Sequence, residues 1–299
     1  MNDIPVDALA DFIARHVILL LLCFALLTLA ATAALWRLVE SYGGALWRMA
    51  ARAWEWLRNN SLTQRLRSVP VIRGLFTHAL TVVSYLGVHA VLSFVVAFAA
   101  VVGFFEIADE IGLGEDLAQF DTALAASLAR HVSADLLRVM AVITHLGDRA
   151  FLIAIAVITV VVLLIKGHRT MALAWAVAAA SGGLLNTALK AIFERTRPIH
   201  DHGIVVADGW SFPSGHASGA VIVYGLLGYL VIRLMPRPWH LPVTILTVAL
   251  IVFVGFSRAV LQVHYFSDVI AGYASAAAWC ALSIGGLEAI RRRNGAGAG

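Results

Sequence analysis

Three polar stretches interrupt an otherwise apolar chain, and their residue types converge on one chemistry. They are Lys190-x6-Arg197-Pro198, Pro213-Ser214-Gly215-His216 and Ser257-Arg258-x5-His264-x3-Asp268. Together they supply cations for phosphate oxygens, two histidines and one carboxylate. That set is close to what moving a phosphoryl group at a membrane surface requires. Such transfers gain mainly from positioning and from preorganised positive charge around the phosphoryl oxygens.

Each stretch contributes a part. Lys190 closes an apolar run and Arg197 follows seven residues later. On a helix continuing through both, the spacing is two turns and the cations share a face. A charge near the bilayer centre costs about 2.5–3.5 kcal/mol, so an ionised group embedded in a span marks function by default. Alone, Lys190 reads equally well as a side chain snorkelling to the interface. In the second stretch Ser214 is placed as a helix N-cap, and Gly215 lets backbone approach a ligand. A helix N-terminus carries free N–H groups and partial positive charge, which suit a phosphate, with His216 beside it. Its plain alternative is an ordinary cap with an interfacial histidine. In the third stretch His264 and Asp268 are four apart, one face of a helix. A carboxylate beside an imidazole fixes its tautomer and raises its basicity. Arg258, just upstream, has the fork to clamp a phosphate.

These residues need elements that bring three distant stretches together. Hydrophobic residues make up 61% of the 299 and charged ones 13%, about half of the roughly 25% usual in soluble domains. Several apolar runs exceed the ~18 residues that mark a membrane-spanning helix. The expected fold is all-α, a polytopic transmembrane helix bundle, with spans near 17–36, 80–105, 149–166, 171–192, 215–234, 242–258 and 267–288. The net charge of +4 does not indicate nucleic acid, because the basic residues cluster between spans. Lys166, His168 and Arg169, then Arg233 and Arg237, then Arg291 to Arg293 mark one side as cytoplasmic by the positive-inside bias. Residues 106–148 are acid-rich and poor in Lys and Arg, which favours the outer side. The N-terminus is then outside, the C-terminus inside, and all three polar stretches fall on the outer face.

Before the second span, arginines from Arg37 to Arg73 interleave with Trp47, Trp54 and Trp56. That pattern fits an amphipathic helix on the inner membrane surface or a plain cytoplasmic linker. The first apolar run is a retained span, since Asp3, Asp7 and Asp11 give the wrong charge for a signal peptide. Cys23 and Cys280 read as small buried hydrophobes. Gly182, Gly183, Gly215 and Gly219 read as close-packing positions. In the loop between the first two stretches, Glu194, Arg195, His200, Asp201, His202 and Asp208 read as solvated, and the two histidines lack a third metal ligand. His89 is expected inside the bundle, and His145 to Asp148 near the outer face. Residues 294–299 are expected to be unstructured.

The three stretches, in this order, resemble the tripartite signature of the type 2 phosphatidic acid phosphatase superfamily of lipid phosphate phosphatases. The resemblance covers about residues 79–290. It implies a six-span membrane phosphatase core, here preceded by residues 1–78 with one extra span and a basic segment, and followed by a basic tail at 291–299. It further implies a reaction without metal or other cofactor. His264 is then the nucleophile that forms a phosphohistidine, Asp268 its orienting carboxylate, and His216 the acid for the leaving group. Lys190, Arg197, Ser214, Gly215 and Arg258 hold the phosphoryl oxygens. The implied partners are the membrane and a lipid phosphate, with phosphatidate, phosphatidylglycerophosphate and polyprenyl diphosphate as candidates. The implied location is the plasma membrane. A phosphotransferase using the same intermediate, or a binder without catalysis, are the alternatives.

Overall fold

The computed structural model describes residues 5–60, 92–112, 115–199 and 203–296, and among these the secondary structure is entirely helical. The helices are α1 (Val6–Arg15), α2 (Val17–Asn59), α3 (Leu92–Asp109), α4 (Asp116–His131), α5 (Ala134–Thr144), α6 (Arg149–Ile165), α7 (Arg169–Phe193), α8 (Gly215–Leu234), α9 (His240–Val260) and α10 (Phe266–Ala296). Seven segments are long and apolar enough to cross a membrane: one each in α2 and α3, α5 with α6 as one, and α7 to α10. The all-helical, seven-span expectation is met.

The helices pack in a bundle centred on α8, which touches α6, α7, α9 and α10. Its buried face, including Ile222, Val223, Leu226 and Leu230, meets Leu152, Trp175 and Ala276 of its neighbours. Large apolar side chains remain exposed around the outside, among them Leu27, Val142, Ile165 and Leu184. Such a surface suits lipid, where the backbone must be satisfied inside each helix. Small residues let helices approach closely. A methyl at Gly182 would meet Ile222 and Trp279, and one at Gly219 would meet Leu152 at 2.7 Å. Gly183 has nothing within 4 Å, so it is not a packing glycine.

Several boundaries differ from expectation. α2 runs on for 43 residues to Asn59, about 64 Å at 1.5 Å per residue, roughly twice the hydrocarbon thickness. No proline interrupts it, so the basic stretch up to Asn59 prolongs the span and forms no separate surface helix. Residues 61–78 and His89 lie outside the described residues. The acid-rich connection holds α4 and α5, and α5 leads into α6 through a 3-10 turn at His145–Gly147. α10 stays helical to Ala296, so the tail up to there is structured. Cys280 is buried as expected, but Cys23 is exposed on α2.

α1 and α4 pair outside the main bundle. Ala10 and Ala14 bury against Leu124 and Leu128, and the cluster continues to Val260, Leu261 and Val263 beneath the third polar stretch. Asp11 lies between Arg15, Arg130 and His131 at 2.7–3.7 Å.

At Gly255 of α9 an added methyl would overlap the phenol of Tyr273, whose hydroxyl donates to the Ile251 carbonyl at 2.8 Å. Gly255→Ala should therefore lower stability by about 1–3 kcal/mol, seen as a lower melting temperature in detergent. Gly183→Ala should leave it unchanged or slightly raised.

Candidate functional site

The three polar stretches meet at one end of the bundle, but not by the local geometry expected. α7 stops at Phe193, with Glu194 left-handed at φ 43°. Arg197 is therefore not on the helix of Lys190. The two converge through the loop: Lys190 Nζ and Arg197 Nη2 both donate to the Trp210 carbonyl. His264 likewise precedes α10, so no shared helix face pairs it with Asp268. The chain turns through Gln262, left-handed at φ 56°, and the helix begins at Phe266. The Asp268 carboxylate then reaches back, accepting from the Tyr265 N–H at 2.9 Å and lying 3.3 Å from His264 Nδ1. This is the reciprocal half of a capping box. Glu194 and Gln262, the only non-glycine residues with positive φ among those described, each introduce a loop that carries site residues. Strain of this kind persists where surrounding contacts over-determine the backbone.

His264 is buried, and both ring nitrogens are assigned by their neighbours. A carboxylate only accepts and a guanidinium only donates. Nδ1–H therefore faces Asp268, and Nε2 is the acceptor facing Arg197 Nη1 at 3.1 Å. Burial, against the opposing pull of Asp268, lowers the His264 pKa to about 3. The ring is neutral at physiological pH, with its Nε2 lone pair directed at the Arg197 guanidinium.

The Ser214 backbone N–H donates to the Asp268 carbonyl at 2.9 Å, binding the second stretch to the third. Ser214 is the N-cap of α8, yet its hydroxyl makes no cap bond. That oxygen is buried without a hydrogen-bond partner among the described residues, and so is Arg258 Nε. Arg258 itself is buried and donates through Nη1 to Thr144 Oγ1 at 2.8 Å. A methyl at Gly215 would press on Asn186 Oδ1 at 3.2 Å and approach Lys190 Cε at 3.9 Å. An anion among these donors would receive the orphaned hydroxyl and guanidinium hydrogens as well as the free N–H groups of α8. No three His, Cys, Asp or Glu residues among those described come together as a metal site.

Three residues that sequence reasoning undervalued hold the site. Arg195 is not a solvated loop residue: its side chain is 12% exposed and forks between Asp268 Oδ1 at 2.7 Å and Asp121 Oδ2 at 2.9 Å. It also stacks over Tyr265 at 4.2 Å. Asp121, on α4, accepts from both the backbone and the hydroxyl of Ser267. Burial raises its pKa while Ser267 and Arg195 oppose the rise. Ser211 donates to Asp268 Oδ2. The available signal was an aspartate in the middle of α4, among apolar residues, which does not name its partner. His216 meets Asp148, its Nε2 lying 3.0 Å from Oδ1. His200, Asp201 and His202 lie outside the described residues, and Asp208 contributes its carbonyl to Arg197.

Comparison with known proteins identifies the family and the fold. Residues 169–291 match the family model described as PAP2 superfamily. The chain is 34% identical over 138 residues to phosphatidylglycerophosphatase B of Bacillus subtilis strain 168, covering 45% of this chain and 67% of that protein. It superposes with a TM-score of 0.58 on the crystal structure of a transmembrane PAP2 type phosphatidylglycerolphosphate phosphatase from Bacillus subtilis. The two are 29% identical, over 63% of this chain and 94% of that one.

Replacing Arg195 by alanine leaves the buried Asp121 and Asp268 carboxylates without their shared cation. A buried pair broken on one side costs roughly 3–5 kcal/mol, so Arg195→Ala should sharply lower the melting temperature in detergent. Asp121→Asn, which keeps hydrogen-bonding capacity, should lower it less.

Proposed function

The chain belongs to the PAP2 superfamily and is an integral membrane phosphatase of that type, and we propose that it hydrolyses lipid phosphomonoesters or diphosphates through a phosphohistidine on His264. The observation that carries this reading is the environment of His264: a neutral imidazole with Nδ1–H on Asp268 and Nε2 against a guanidinium. That is how a nucleophile for an electron-poor phosphorus would be held.

In this reading Nε2 attacks phosphorus as the bond to the leaving oxygen breaks. Asp268 stabilises the positive charge that the ring acquires. Lys190, Arg197 and Arg258, with the Ser214 hydroxyl and the Gly215 N–H, hold the phosphoryl oxygens and offset their developing charge. His216 gives a proton to the leaving alkoxide or phosphate. It then takes one from water, which attacks the phosphohistidine, releases inorganic phosphate and restores both histidines. The residues are sufficient without a metal, so activity is expected to resist chelators.

The substrate reading follows from place and kinship. The site lies at span ends, where a lipid head group is presented, and the relatives named above are phosphatidylglycerophosphatases. Phosphatidylglycerophosphate is the first candidate; phosphatidate and polyprenyl diphosphate remain within the same chemistry. The outer face of the plasma membrane is supported by charge. Arg169 at the start of α7 and Arg233 at the end of α8 lie at the helix ends opposite Lys190 and Gly215, and the positive-inside bias makes theirs the cytoplasmic end. On this topology the N-terminus is outside and the C-terminus inside.

His264→Ala should reduce phosphate release from phosphatidylglycerophosphate by about 10³-fold or more, while wild-type activity should persist in EDTA. Full activity in the variant would refute the phosphohistidine. Loss of wild-type activity in EDTA, restored by a divalent ion, would refute the metal-free reading. A phosphorylated lipid acceptor in place of free phosphate would make the protein a phosphotransferase.

A further inference from the structure

From the contacts of His216 we infer that Asp148 is a positioning residue for the acid, so that the site is built from two histidine–aspartate pairs, one for each half of the proton and phosphoryl exchange. The inference rests on the assignment of His216 as the leaving-group acid.

Asp148 stands at the N-cap of α6, a position where aspartate ordinarily accepts from the helix's own free N–H groups. It makes no such bond. Its two oxygens are used on histidines instead: Oδ1 lies 3.0 Å from His216 Nε2, and Oδ2 lies 2.7 Å from His145 Nδ1. A helix cap is therefore not what holds this carboxylate in place. Since it only accepts, Nε2 of His216 carries hydrogen. Nδ1 is then the nitrogen that gives and takes protons, and it makes no hydrogen bond to any described residue.

The turn that carries Asp148 is clamped on three sides. Thr144, at its start, accepts from Arg258 of α9 at 2.8 Å. The Leu146 carbonyl accepts from the Tyr224 hydroxyl at 2.6 Å, and Tyr224 lies on α8, the helix of His216. Gly147 has no room for a side chain: a methyl there would meet Val254 at 2.5 Å and the His216 ring at 2.9 Å. The turn is thus pressed against the imidazole, and a phosphate-binding arginine is tied to it. A constellation held to this degree by packing and surrounding hydrogen bonds keeps a catalytic group in productive geometry.

Asp148 has a distinct task from Asp268. It keeps His216 turned with Nδ1 toward the site, and its charge stabilises the imidazolium that must exist before the leaving group departs. In the step itself the Nδ1 proton passes to the leaving oxygen as the P–O bond breaks. Asp148 stays a carboxylate throughout. His145, 72% exposed, shares that carboxylate and holds its second oxygen.

The test uses leaving groups of different need. An alkyl phosphate such as phosphatidylglycerophosphate expels an alkoxide that requires a proton, whereas p-nitrophenyl phosphate expels a stable phenolate. The quantity compared is kcat/KM, which reports events up to leaving-group departure for the full-length protein in detergent. Asp148→Asn should lower kcat/KM on the lipid about 10- to 100-fold, within the range of a general-acid contribution, and on the aryl ester less than about threefold. His216→Ala should show the same selectivity more strongly, and Asp148→Glu should recover part of the lipid activity. Retained aryl activity shows that the variant is folded. Equal losses on both esters, or none on the lipid, would overturn the inference while leaving the phosphatase reading intact. No selectivity in His216→Ala would overturn the acid assignment and the inference with it. A wild type that releases phosphate from neither ester would overturn the phosphatase reading itself.

Discussion

The structure turns on one buried carboxylate. Asp268 has no exposed surface, yet it sits at the mouth of an apolar bundle where an uncompensated charge is costly. It is stabilised by donors from three segments: the Ser211 hydroxyl, the Tyr265 backbone with His264, and the Arg195 guanidinium. Satisfying it obliges both ends of the α7–α8 connection and the turn before α10 to meet. The Asp268 carbonyl, accepting from Ser214, binds α8 into the same junction. Once these groups are gathered, the other residues of the proposed phosphate cradle are already close by.

The junction also ties the helices outside the main bundle to the chemistry. Arg195 spends half of its fork on Asp121 of α4, and α4 is packed by α1. Asp121 in turn holds Ser267, the residue before Asp268. The N-terminal helix and the acid-rich connection therefore support the site from the side away from the bundle core. Their apolar contacts and their one deeply buried charge act together: the first gives area, the second gives register.

Local expectations failed where they assumed regular helix. Lys190 with Arg197, and His264 with Asp268, were paired by helical spacing. Both pairings survive without it, because left-handed Glu194 and Gln262 redirect the chain and the side chains reach the same place by other routes. Periodicity describes a helix that continues. It carries no information about a helix that stops so that its last polar groups can turn inward. The reading of Arg195 as solvated failed for a related reason, since a loop arginine is distinguished from a solvent-facing one only by the acids folded against it.

What the chain determines by itself is whatever depends on neighbours in sequence. Apolar run length set the number of spans, and the three polar stretches supplied the residue types of the proposed phosphoryl-transfer site. Tertiary structure decided the pairings between distant residues. Asp148 lies 68 residues from His216, and Arg195 lies 74 from Asp121. Nothing in spacing or composition connects members of such pairs. They are selected when the packed bundle removes water from each charge and leaves the other as the partner within reach.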